Sequence, residues 1–269
     1  MLALSRTTRL NRLPFVWKQM NVQLRMRTLS LFSFGTLVTQ PVIFSAVGYF
    51  LARAAGHEID FVYFIIGSGV MGMWSTLLFT SFFDLRADRR EGTLELLVGS
   101  PTSIFTILSI RSFANVLLGS VSFSLSMIAA MLIFGFSFPL GNIPYFLISL
   151  VILLYSFWCI GIFLAHWPVV SRLSGLFINY LELPVAILTG FMFPVSLLPT
   201  WAQKLSMLTP MSWAFRGLST SFQPNVNMSD VWLYWMMAFA ISCIYLIGTF
   251  FMSRWVQDMI RVTGELSSV

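Results

Sequence analysis

The chain has 269 residues, 57% of them hydrophobic and only 10% charged, with a net charge of +6 and a mean hydropathy of +0.83. Soluble domains carry about 25% charged residues, so a water-soluble globule is excluded, and the apolar content equally excludes a disordered chain. What remains is an integral membrane protein made of helices, because a β-barrel needs segments of about ten residues alternating apolar and polar, and none is present.

Residues 1–28 come first and carry six cations. Leu13, Val16, Trp17, Met20 and Leu24 recur at helical spacing, with Arg12, Lys18 and Arg25 off that face. The pattern suits a helix lying on the cytoplasmic membrane surface; a basic segment that only holds the chain on that side reads the same way. It is not a secretory signal, since the first apolar run starts only at Leu29 and is long enough to stay as a span. Six apolar stretches follow, at 29–51, 61–83, 112–136, 144–165, 174–196 and 231–252, each of 22 to 25 residues. Each exceeds the roughly 20 residues that cross a hydrocarbon layer at 1.5 Å per residue. Of the 26 charged residues, only Glu182 lies inside a stretch. Thirteen of the 16 cations fall on the side that holds the N-terminal segment, the 84–111 loop and the C-terminal tail, and three (Arg53, Lys204, Arg216) on the other. The excess of positive charge places both termini in the cytoplasm. The expected fold is therefore an all-α membrane protein, with an interfacial segment over 1–28 and a six-helix transmembrane domain over 29–269. The net charge follows from this topology and signals no nucleic-acid partner.

The 84–111 loop is rich in charge. Glu91 and Glu95 are four residues apart and share one face of a short helix, with Leu94, Leu97 and Val98 opposite. Gly99, Ser100 and Pro101 end it. From the residues alone, this is either a docking helix held at the membrane surface or a solvated loop whose charges set topology.

The string Glu91-Gly92-Thr93-Leu94-Glu95-Leu96-Leu97, followed by Ser100-Pro101, resembles the coupling-helix motif of the type 2 ABC-transporter permease family. Six spans, a basic interfacial segment and a long connection before the last span agree with it over the full length. The resemblance implies a soluble ABC ATPase on a separate chain, in two copies, and a second permease chain, as a homodimer. It implies that Glu91, Gly92, Thr93, Leu94, Glu95 and Leu97 dock the ATPase, that ATP and magnesium sit on that partner and no cofactor on this chain, and that the assembly lies in a bacterial-type inner membrane.

The fifth stretch holds Glu182, Pro184, Gly190 and Pro194. Glu182 lies about 12 Å into the membrane at 1.5 Å per residue, where a carboxylate costs several kcal/mol unless paired, wetted or protonated. Gln40, Asn115 and Asn179 are candidate partners. Both a transport role and a packing role fit.

The connection over 197–230 is apolar for a loop and is cut by Pro199, Pro210 and Pro224 into pieces too short to cross a bilayer. The family resemblance implies two short re-entrant helices here that close the outer mouth, with Phe193-Pro194 and Thr209-Pro210-Met211-Ser212 at matching positions; Trp213 suits the membrane interface, and Phe193, Pro194, Pro210 and Trp213 are the gate candidates. An amphipathic cap packed on the surface, with no gating role, is the alternative.

An ATP site on this chain is excluded: a P-loop needs Gly-Lys, and the two lysines follow Trp17 and Gln203. Cys159 and Cys243 lie within spans and read as free thiols. His57 and His166 fall on opposite sides of the membrane and offer no metal spacing. Gly67-Ser68-Gly69 reads as close helix packing. The expected function is the permease subunit of an ATP-driven exporter. No segment reads as a periplasmic-type binding domain, which favours export, and the single intramembrane acid favours a hydrophobic or amphipathic cargo. The other classes are an ion-coupled secondary transporter or channel, which predicts inverted repeats and several intramembrane charges, and a membrane assembly protein.

Overall fold

The computed structural model describes residues 39, 42–50, 53, 61–90, 92, 103–135, 142–170, 174–222 and 227–263. The expected interfacial segment, most of the first span and the string 93–101 lie outside them. Among the described residues the chain is all-helical, with no strand. Residues 42–50 are helical. The helices then run α1 Phe61–Arg90, α2 Ile104–Phe134, α3 Ile143–Val170, α4 Ser174–Thr189, α5 Thr200–Met207, α6 Pro210–Thr220 and α7 Met228–Thr263. Four contain stretches long and apolar enough to cross a membrane: Val62–Ser81, Ile104–Ile133, Ile143–His166 and Met228–Val256. The chain is a multipass membrane protein.

Several helices run past the apolar stretches at their ends, and two further boundaries differ in ways that shape the bundle. α2 starts eight residues earlier than 112, because Ser103 caps it: its Oγ accepts the Thr106 N–H at 3.3 Å. The helix therefore carries Arg111 inside its first third. α4 ends at Thr189, seven residues short of 196. Gly190 has φ 86°, its N–H reaches the Ile187 carbonyl (3.1 Å), and the Phe191 N–H reaches the Ala186 carbonyl (3.0 Å). Those two bonds form a Schellman cap, which closes a helix as firmly as any sequence signal can. The 16 residues of α4 rise about 24 Å, short of a ~30 Å hydrocarbon layer.

α1 is the central helix: 78% of its spanning window is buried, against 22% for α7 at the periphery. Trp74, Leu77 and Leu78 of α1 pack with Leu153 and Phe157 of α3, Ala186 of α4 and Phe215 of α6. An aromatic chain threads this core, Trp74 to Phe157 (6.3 Å), Phe157 to Phe191 (6.0 Å) and Phe191 to Phe215 (5.3 Å). Lipid offers no hydrophobic drive between helices, so such packing and buried hydrogen bonds hold the bundle.

The hydrogen bonds between α3 and α7 fall in one register. Trp235 Nε1 donates to Ser149 Oγ at 2.8 Å, Ser242 Oγ donates to Ser156 Oγ at 3.1 Å, and His166 Nε2 meets Ser253 Oγ at 2.5 Å. The first two rungs are seven residues apart on both helices, two turns of each. Numbers rising together mean that the helices run in the same direction, as spans four and six do in the expected topology. Each interhelical bond of this kind is worth about 0.6 kcal/mol.

Candidate functional site

The segment from Gly190 to Phe222 is built by its prolines. Pro194 starts a 3-10 turn at Val195–Leu197, Pro199 caps α5 and Pro210 opens α6 at its first position, where a missing N–H costs nothing. The carbonyls left open around the first turn are served by Gln203, whose Nε2 donates to Leu198 (2.8 Å) and Ser196 (3.3 Å). α5 and α6 rise about 12 and 16 Å, so neither crosses a membrane. The Ser206 and Ser212 hydroxyls, 2.7 Å apart, tie them together, and Trp213 Nε1 donates to the Met207 carbonyl at 2.9 Å.

The two helices differ in depth. α6 is buried from Pro210 to Phe215 and again at Gly217 and Leu218. α5 buries only Ala202 and Ser206 and exposes Trp201, Leu205 and Met207. α6 is thus a plug set into the end of the bundle, with α5 over it. Ser149 fastens the plug to α3 by donating to the Gly217 carbonyl at 3.1 Å. The same hydroxyl accepts from Trp235, so one serine joins α3, α6 and α7.

α1 meets this segment at its first two turns. The Tyr63 hydroxyl donates to the Gly190 carbonyl, and the Tyr63 ring packs edge-on against Phe215 at 5.2 Å. A Cβ on Gly67 would fall on the Phe191 carbonyl oxygen, so only glycine lets α1 approach this closely. Gly67 therefore serves close packing, as read from the sequence. Phe193 packs edge-on to Phe64 at 6.4 Å. A small apolar recess, about 20 Å³ in volume, lies between residues 44–48, α1 and Phe191–Met192.

Of the expected site residues, Phe193, Pro194, Pro210 and Trp213 all fall in this one segment. Glu182 is half-buried on α4, two residues before the in-helix Pro184. Its carbonyl accepts from Trp74 Nε1 at 3.1 Å, which ties α4 to the centre of α1. Asn115, named as a partner for the carboxylate, is buried and donates to Ser81 Oγ at 3.4 Å. Gln40 and the side chain of Asn179 lie outside the described residues. So do Glu91, Thr93, Leu94, Glu95 and Leu97. Gly92, the described residue of that string, is exposed with φ 68°. Tyr63, Ser149, Arg216 and Trp235 were not singled out from the sequence. Nothing in the sequence distinguishes them from other interfacial tyrosines, serines, arginines and tryptophans. Among the described residues, no three His, Cys, Asp or Glu side chains converge to hold a metal.

The profile of the family described as "ABC-2 type transporter" matches residues 15–223, a stretch that includes the 91–101 string and the plug. The chain is also similar to the Escherichia coli (strain K12) protein described as "Probable multidrug ABC transporter permease YbhR", 21% identical over 178 residues, which is 65% of this chain and 48% of that protein. The protein of the same description in Escherichia coli O157:H7 matches with the same identity and coverage. The chain spans about half the length of the curated relatives it matches.

Proposed function

The chain belongs to the ABC-2 type transporter family, and from that premise we propose that it is the permease subunit of an ATP-driven exporter. Two copies of a separate ABC ATPase supply the energy, with ATP and magnesium bound there, and a second copy of this chain completes the path. The assembly sits in an inner membrane with both termini cytoplasmic, the 1–28 segment on the cytoplasmic surface and the transmembrane domain over 29–269.

The observation that carries the reading is the span of α1. It runs 30 residues, about 45 Å, from Phe61 to Arg90 without a break. One end leads through Gly92 into the Thr93–Leu97 string. The other holds the Tyr63 hydroxyl on the Gly190 carbonyl and lays Gly67 against the Phe191 backbone. Closure of the ATPase pair moves the string that begins after Gly92. α1 then tilts as a rod, releases the Tyr63–Gly190 bond and draws away from Phe191 and Phe193. The α6 plug stays with α3 and α7 through Ser149, and the path opens along α1. Glu91 and Glu95 contact basic or polar groups on the ATPase, and Glu182 faces the path. The multidrug description of the relatives supports a hydrophobic or amphipathic cargo.

The test is transport by the chain and its ATPase in inside-out vesicles. ATP should drive uptake of an amphipathic dye, and Tyr63→Phe should leave ATP hydrolysis intact while changing the dye taken up per ATP. Uptake that proceeds equally without ATP contradicts the reading and favours an ion-coupled carrier.

A further inference from the structure

The chain has only two cysteines, and both converge on one phenol at the seam between α3 and α7. Cys159 is fully buried on α3, and Cys243 is half-buried on α7. The Tyr155 hydroxyl stands 3.5 Å from Cys243 Sγ. The Cys159 thiol, one turn beyond Tyr155 on α3, hydrogen-bonds the same phenol and lies within electrostatic reach of Cys243. Phe239, stacked at 5.4 Å, and Trp158, at 6.0 Å, hold the Tyr155 ring in place. A free cysteine packs as a small hydrophobe and needs no partner. Packing alone gives no reason for the chain's whole complement of thiols, drawn from two helices, to face one oxygen.

We propose that Cys159 and Cys243, with Tyr155 beside them, bind a soft monovalent cation of the Cu(I) type. Both thiols are free. An ion joining them through two bonds of about 2.3 Å spans roughly 4.6 Å, over twice the length of a disulfide bond, so it requires less approach of α3 to α7 than a disulfide would. Soft sulfur ligands select Cu(I) or zinc, and zinc takes four ligands. Among the described residues no third His, Cys, Asp or Glu joins the pair, which leaves the two-coordinate ion. Charge is costly inside the membrane, so the filled site is cheapest when neutral. A monovalent ion meets this by displacing one proton to water: one sulfur binds as thiolate and the other as thiol, with no change of oxidation state. The phenol then donates to the thiolate. The ion ties together the two helices that Ser149 joins to the plug, and this goes beyond the permease reading.

The test uses the full chain in dodecyl maltoside, reduced and kept free of oxygen. Cu(I) is titrated in competition with the chromogenic chelator bicinchoninate, and the ion held per chain is read from the chelator's colour. The chain should hold one Cu(I). Cys159→Ser and Cys243→Ser should each weaken it at least tenfold, and Tyr155→Phe by less. Cu(I) should raise the unfolding midpoint of the parent and of neither serine variant, because the ion joins two helices. Cys243 is half-buried, so its variant carries the test if Cys159→Ser does not fold. No retained Cu(I) overturns the proposal, and so does retention of Zn²⁺ in preference to it. Retention that both serine variants keep also overturns it, since methionines then hold the ion. None of these outcomes involves an ATPase or transport, so failure of the site and failure of the permease reading are told apart.

Discussion

Gly190→Ala strikes the joint on which the mouth closes. Gly190 has φ 86°, and a side chain in the left-handed region costs roughly 1–2 kcal/mol. The added Cβ would also meet Val195 Cγ2 at 2.7 Å and Tyr63 Oη at 3.3 Å. The first contact is far inside van der Waals distance, so Val195 or the backbone must shift. The second displaces the hydroxyl that holds the Gly190 carbonyl. At about 2–4 °C per kcal/mol for a chain of this size, the conformational cost alone lowers the unfolding midpoint by about 2–8 °C. The assay is thermal unfolding of the purified chain in detergent, followed by near-UV dichroism. Adding Val195→Ala removes the overlap and leaves the backbone cost, so the double variant should recover part of the loss and no more. A Gly190→Ala midpoint within 1 °C of the parent, or full recovery in the double variant, would show that α4 does not end in this cap.

Three further outcomes follow from the same contacts. Ser149→Ala leaves both the Trp235 indole and the Gly217 carbonyl without their partner and should cost about 1–2 kcal/mol, more than Ser156→Ala, whose partner Ser242 can turn to its own helix; equal losses in denaturant unfolding would contradict the three-helix role of Ser149. Tyr63→Phe removes a bond worth about 0.5–1.5 kcal/mol and should speed labelling of a Phe193→Cys reporter by a membrane-impermeant maleimide without ATP, with Cys159 and Cys243 replaced by serine; unchanged labelling argues against the latch. Glu182→Gln should retain insertion and alter transport, and unchanged transport together with unchanged ATPase stimulation would leave Glu182 a packing residue.

Hydropathy made the bundle legible because crossing a membrane demands long apolar runs, and the runs at 61–83, 144–165 and 231–252 all fall inside single helices. It misread the fifth run because it weighs Gly190 as one more apolar residue, whereas the left-handed turn there is a backbone event. It placed the third run late because Arg111 was read as a flank; a helix sees instead the cap at Ser103. The prolines of 194–210 foretold short pieces, but not that α6 lies under α5. Depth depends on Ser149 and Tyr63, which come from α3 and α1. The seam of Ser149, Ser156 and His166 against Trp235, Ser242 and Ser253 joins residues 86 or 87 apart and has no local signature.

The central claim is that this chain is the permease of an ATP-driven pair coupled through the string around Gly92. The most direct measurement is native mass spectrometry of the affinity-purified chain, with the partner identified by a peptide bearing the Walker A sequence. The account predicts an assembly of two copies of this chain and two of the ATPase, and loss of the ATPase in Glu91→Lys/Glu95→Lys while the chain stays folded in the membrane. A chain that purifies without a Walker A protein, or a charge-reversed variant that keeps its ATPase and couples hydrolysis to transport, would contradict it.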